Sequence, residues 1–390
     1  MTIKNEMIET YETSRRLFEP ANLGWILNLR VKNKTIGKYK PMVRQLLYAL
    51  NYAYVAKYIR DDGQAPLSTV VMSTIAKGER KDFPLLRRAL EEANILVCDN
   101  KYKKGEKAFH FTLGTAMDGV SWSRSKTPYT FTLPVPMNQP DKLNMKKIPQ
   151  LTIDATILNP ALYSTQLKRG WTDEERNVWE WYLTDNWDND YIVAKTGRVY
   201  GDWSRTPREL RGTFLIDGKP VVEVDIRNAQ PLMLACLYGD DDCKESWKYR
   251  ALVESGIFYE HVMKVTGCSD RDAVKRAVMV FLCGKTKVPL IPQYFQDEFP
   301  ILYGIIKAHQ NKQWKSVAHI LQNLESNIIV KRVCEEFPVV SMHDGVICPQ
   351  DIAGDVESRT KELIKQEYGL NATVTVEDKR KALVPMMLAG

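Results

Sequence analysis

The run VVSMHDGVICP, residues 339–349, constrains this chain more tightly than any other stretch. Val339-Val340 and Val346-Ile347 are short apolar β-runs, and Gly345 between them is expected to supply a tight reversal. The hairpin tip then carries His343 and Asp344, so one carboxylate is presented at a fixed place. A second such device lies in GKPVVEVDIRNAQPLMLACLYG, residues 218–239. Val221, Val222 and Val224 predict a strand that ends at Asp225. Asn228 is expected to cap a following helix, with Pro231 in its first turn and Gly239 closing it. Short strands and helices alternate from about residue 190 onward, which makes the fold class mixed, α+β. Taken singly, each device is an ordinary turn or strand end, because short motifs match by accident.

A third segment adds positive charge. CSDRDAVKRAVMVFLCGKT, residues 268–286, predicts a helix with Ser269 or Asp270 at its N-cap and Gly284 as its stop. Arg271, Lys275, Met279 and Cys283 recur every four residues and share one face. Two cations near a helix N-terminus make a site for a polyphosphate, since dipole and side chains pull the same way. In isolation the same pattern describes a solvent-facing basic stripe.

The first 115 residues have a different character. Residues 41–60 carry helical periodicity. LSTVVMSTIAKG predicts a second helix, with Pro66 and Ser68 at its start and Gly78 at its end. KDFPLLRRALEEANIL predicts a third, with Pro84 in its first turn. ILVCD and AFHFTL then read as strands joined by NKYKKGEK. Three helices followed by a lysine-rich hairpin are the order of a winged-helix domain. There Lys101, Lys103, Lys104 and Lys107 would meet nucleic-acid phosphates; the alternative is a protein-docking domain with a solvated lysine turn. Residues 116–150, rich in Pro, Ser and polar groups, are expected to be a linker. WTDEERNVWEWYLTDNW, residues 171–187, predicts a helix capped by Thr172, with tryptophans that serve packing rather than base stacking.

Bulk properties narrow the partners. A net charge of +7 leans toward a polyanion. Seven scattered cysteines without a CxxC pair, beside five histidines, offer no metal-ligand cluster and read as reduced thiols. No apolar run approaches the roughly 20 residues that span a bilayer. The opening MTIKNEMIETYETSRR lacks the apolar core of a signal peptide, so no membrane partner and a cytoplasmic location are expected.

The order carboxylate strand, cation helix, His-Asp hairpin resembles the three palm and fingers motifs of the family A polymerases. That superfamily includes the phage and mitochondrial single-subunit RNA polymerases. Asp225 matches the first motif's carboxylate. Arg271, Lys275 and Gly284 match the R-x3-K-x8-G frame of the second, and His343-Asp344 the third. TGR at 196–198 and LRGTFLIDGKPVVEVD at 210–225 are similar to that family's run into its first motif. LQNLESNIIVK at 321–331 resembles the palm helix that precedes the hairpin. The resemblance covers roughly residues 190 to 390, about half the chain.

The resemblance implies a right-hand polymerase with palm and fingers over 201–390 (fingers helix about 269–284), a short helical thumb-like region over 151–200, and the winged-helix-like unit before the linker. It implies a template-directed nucleotidyltransferase in which Asp225 and Asp344 hold two Mg²⁺ (or Mn²⁺) ions, aided by the carbonyl of Ile226. His343 would position the primer. Arg271 and Lys275 would clamp the phosphates of a dNTP or NTP, and Met279 would pack its base. Arg198 and Gln322 would contact a primer-template duplex, with DNA favoured. The departures bear on the sugar. Gln230 stands where the DNA enzymes have Glu and the RNA enzymes Gly, and its bulk implies exclusion of a ribose 2′-hydroxyl. Cys283 replaces a Tyr, and Gly345 replaces the carboxylate that follows His-Asp in the DNA enzymes. With no exonuclease-like carboxylate set in the N-terminal half, a small DNA polymerase without proofreading is expected. A primase or RNA polymerase is the alternative, and a DNA-binding replication or regulatory protein with a vestigial palm is the rival of another class.

Overall fold

In the computed structural model, residues 10–31, 34–38, 40–60, 63–67, 72, 82–99, 109–126, 129–134, 148–187, 189, 191–239, 243–284 and 289–383 are described. The chain divides into two compact units, residues 1–137 with 166–187, and residues 138–165 with 188–390.

The valines of the second unit build an antiparallel sheet. The strand Lys219–Ile226 lies beside Gly345–Pro349, which turns back into Val340–Met342. On its other edge it pairs first with Phe214–Ile216, which continues to Leu151–Ile153, and then with Val374–Glu377. Val222, Val224, Ile226, Val346 and Ile347 are all buried. The valines of VVEV are buried because both sheet faces are covered, Glu223 among them is half-buried and paired with Arg211, and the apolar run breaks at Asp225. Helices surround this sheet: Lys244–Glu254, Phe258–Thr266, Arg271–Leu282, Leu290–Glu298, Pro300–Lys312, Ser316–Ile328 and Ala353–Tyr368. Tyr249, Phe258, Phe295 and Phe299, none more than 0% exposed, form an aromatic knot among four of them. The Tyr249 and Phe299 rings meet edge-on at 5.0 Å.

The first unit holds the helix Lys40–Ile59, with Leu46, Ala49 and Leu50 fully buried, and the helix Asp82–Glu92. A three-stranded sheet of Ala65–Leu67, Phe109–Leu113 and Leu96–Cys98 stands beside them. The aromatic segment folds as the helix Asp173–Thr184 with a full capping box between Thr172 and Glu175. Trp179 and Trp181 are buried, and Trp171 stacks on Trp179 at 6.0 Å, so the tryptophans pack as expected.

Several local expectations are corrected. Pro66 does not start a helix; it sits in the edge strand Ala65–Leu67, where its missing N–H costs nothing. Residues 116–150 are not simply a linker, because Trp122–Arg124 pairs with Phe18–Pro20 and Tyr129–Pro134 pairs with Thr10–Arg15. Those partners lie far upstream, so no local pattern marks the pairing. Residues 151–200, expected as one helical region, are shared between the two units. Asn228 occupies the N-cap position of Ala229–Leu234 but takes a left-handed conformation (φ 53°) and makes no side-chain cap. Gly345 is not the reversal: His343 takes the positive φ of 52° there. Ser68, Gly78 and the four lysines of the predicted wing lie outside the described residues. Among the described residues, no helix is long and apolar enough to cross a membrane.

Candidate active site

Strand register brings the two aspartates together. Asp225 is paired with Gly345 across the ladder, so Asp344 stands at the next position of the neighbouring strand's turn. The Ile226 N–H donates to the Asp344 carbonyl at 3.4 Å, closing the turn against the strand end. Gly345 is required by this closeness. A Cβ there would lie 2.3 Å from the Val224 carbonyl oxygen and 3.0 Å from the Asp225 Cα.

Both carboxylates face a cavity of about 590 Å³. Its other wall is the cation face of Arg271–Leu282, where Arg271, Lys275 and Met279 line the space. Ile226, Gln230, Arg198 and His343 complete the set of predicted residues in the lining. Burial raises the pKa of Asp225 well above the usual carboxylate range, the charge of Asp344 raises it further, and Lys275 opposes both. Two acids crowded at the strand end beside a lysine favour a cationic ligand.

The helix presents its cations by a different route from the one its N-terminus suggests. Asp270 is the N-cap and accepts from the backbone N–H groups of Asp272 and Ala273. Two of the N–H groups that would grip an anion are thus already taken, and the positive character of the wall belongs chiefly to the side chains. Arg271 is also held: its Nε donates to Glu260 at 2.8 Å, and its guanidinium lies 5.3 Å from the Tyr259 ring centre. Lys275 is exposed on this face.

Cys283, Gly284 and Gln322 lie outside the lining. The helix ends at Leu282, and Cys283 forms its C-cap. Gly284 adopts φ +73°, with its Cα so close to the Trp314 carbonyl that a Cβ would approach to 2.2 Å. Gln322 is half-buried on Ser316–Ile328.

His343 is half-buried, its Nδ1 has no hydrogen-bond partner, and its ring centre is 5.6 Å from that of Tyr200. Burial, and then the charge of Arg198, depress its pKa, which keeps the imidazole neutral. Arg198 makes a two-pronged pair with Glu325, Nε to Oε1 at 2.8 Å and Nη2 to Oε2 at 2.7 Å. Gln230 donates from Nε2 to the same Oε2 at 2.7 Å.

Sequence patterns missed Arg208, Tyr259, Thr375 and Glu377, which also line the cavity. Thr375 and Glu377 arrive on Val374–Glu377, and Arg208 is tied to Glu377. Glu325 had a legible signal. Leu321, Glu325 and Ile328 follow a helical face, and the outer two are fully buried, so an acid between them demands a partner. Among the described residues, no group of three or more His, Cys, Asp and Glu side chains is arranged to hold a metal ion. The carboxylates this cavity offers a hard cation are Asp225 and Asp344, since the third in the lining, Glu377, is paired with Arg208 and Lys379.

No protein-family model matches the chain, and no curated protein matches it. Among solved structures, it is similar to the POL domain of Pol1 from M. smegmatis in complex with DNA primer-template and dNTP. The TM-score is 0.36 and the identity 15%, over 57% of this chain and 56% of that one. The chain thus spans little more than half the length of that structure.

Proposed function

We propose that this protein is a template-directed nucleotidyltransferase, a small DNA-dependent DNA polymerase that extends a primer with dNTPs and has no proofreading exonuclease. The observation that carries this is the cavity in which Asp225, near a strand end, and Asp344, in the neighbouring hairpin turn, face Lys275 and Arg271. The order of the sequence motifs supports it. Asp225 and Asp344 would hold Mg²⁺ or Mn²⁺, and two carboxylates without a larger donor cage suit Mg²⁺, which is commonly shared with substrate phosphates. Bound there, such ions supply acidity to a primer 3′-hydroxyl and neutralise the triphosphate. Lys275, with Arg271 beside it, binds the outer phosphates and offsets charge as pyrophosphate leaves. Met279 packs the base, and the neutral His343 holds the primer end as a hydrogen-bonding group. Arg198 and Gln322 approach the duplex. The N-terminal unit, with two helices beside a three-stranded sheet, supports the winged-helix reading and recruits template.

Extension of a labelled primer with Mg²⁺, comparing dNTPs with NTPs and primed with unprimed template, tests this. Asp344→Ala should lower extension by about 10³-fold, the loss of several kcal/mol of transition-state stabilisation. Undiminished activity in that variant sinks the assignment. Outright preference for NTPs, or starts without primer, makes the protein an RNA polymerase or primase. Template binding that persists in EDTA, with no incorporation on any template, makes it a DNA-binding protein with a retained scaffold.

A further inference from the structure

Glu325 is the one carboxylate among the described residues that is removed entirely from solvent. It does not line the cavity, but the two side chains it holds do. Its oxygens receive three hydrogen bonds, two from Arg198 and one from Gln230. A buried ion pair is a poor device for stability alone, since apolar residues of similar volume commonly serve as well. What a charge with three directed acceptor contacts adds is orientation. The Gln230 amide nitrogen is committed to Glu325, so the side chain cannot swing out of the cavity wall. The Nε and Nη2 of Arg198 are committed too, and Tyr200 hydrogen bonds the same guanidinium.

We infer that Glu325, itself anchored by Arg198, is a positioning residue that locks Gln230 into a rigid wall against the sugar of the incoming nucleotide, and so sets the discrimination between deoxyribose and ribose. This rests on the proposed nucleotidyl transfer. In that frame the phosphates occupy the space between the aspartates and Lys275, and the base lies at Met279. The sugar between them faces Gln230, on the helix that begins just after the Asp225 strand. A ribose adds one hydroxyl, which a mobile side chain accommodates and a locked one does not. The identity of residue 230 therefore sets the size of the barrier, and Glu325 decides whether the barrier stands.

The test measures kcat/KM for dNTP and for NTP in primer extension, with thermal melting in parallel. Glu325→Gln should lower the dNTP preference by about tenfold, chiefly through a lower KM for NTP. The double variant Gln230→Glu with Glu325→Gln exchanges amide and carboxylate across the same hydrogen bond and should restore most of the preference. Gln230→Met keeps the side-chain volume and the Arg198–Glu325 pair but removes the donor. It should show the same loss of preference, and it reports on the lock even if Glu325→Gln fails to fold. A wild-type protein that extends nothing removes the proposed function and this inference with it. An active wild type whose preference is unchanged in Gln230→Met and in any folded Glu325 variant, with only melting altered, overturns this inference alone.

Discussion

Gly345 and its neighbours show what single residues do here. The glycine reads in sequence as a turn former, yet it is needed because the hairpin strand runs against the Val224 carbonyl and the Asp225 Cα. Gly345→Ala should cost about 2 kcal/mol through overpacking. It should also push the two aspartates apart, so extension should fall by more than the folded fraction does. Urea midpoints at constant slope, measured beside primer extension, check both effects. A variant with wild-type stability would show that the strands can separate without cost. The same closeness explains why a carboxylate does not follow His-Asp in this chain: any side chain at residue 345 collides with the partner strand.

At the scale of elements, the helix Arg271–Leu282 was legible in its spacing and misread in its N-terminus. Four-residue recurrence puts Arg271, Lys275 and Met279 on one face, and they line one cavity. Cys283 continues the count but not the lining, because the last helical residue is Leu282. Lys275→Ala should raise KM for nucleotide and lower kcat, with kcat/KM falling about 10²-fold, because phosphate charge grows toward the transition state. A fall confined to DNA affinity would make the helix a duplex-binding stripe. Asp270→Ala should weaken the helix by about 1 kcal/mol through loss of the cap. It would also free two N–H groups toward phosphate, so KM for nucleotide should rise less than in Lys275→Ala.

At the scale of the whole molecule, charge couples distant parts of the chain. Asp154, next to the edge strand Leu151–Ile153, accepts from Thr156 and from Arg380 at 2.7 Å. The Thr156 hydrogen bond, and then Arg380, hold its pKa below the usual carboxylate range. A depressed acid contributes stability that is present above its unfolded pKa of about 3.9 and is lost as pH falls through the lower folded value. Asp154→Asn should therefore flatten the acid limb of the stability profile below about pH 4, as urea titrations at stepped pH would reveal. In the N-terminal unit, replacing Lys101, Lys103, Lys104 and Lys107 should weaken DNA binding and reduce its salt slope while leaving the chemical step nearly intact. An unchanged slope would place the lysine turn away from DNA.

The sequence by itself determined what depends on near neighbours. The valine run ending at Asp225, the Thr172 cap, a cap at Ser269 or Asp270 and the tight hairpin at His343-Asp344 are local patterns of propensity and hydrogen bonding, legible in short windows. The tertiary structure alone decided which residues meet. Strand register sets Asp225 beside Gly345 and brings in Thr375 and Glu377; helix packing carries Glu325 to Arg198 and Gln230. Pairing across more than a hundred residues leaves no period in the chain. It is chosen by burial of the whole sheet, whose central strand carries valines on both covered faces and is held in register by its cross-strand neighbours.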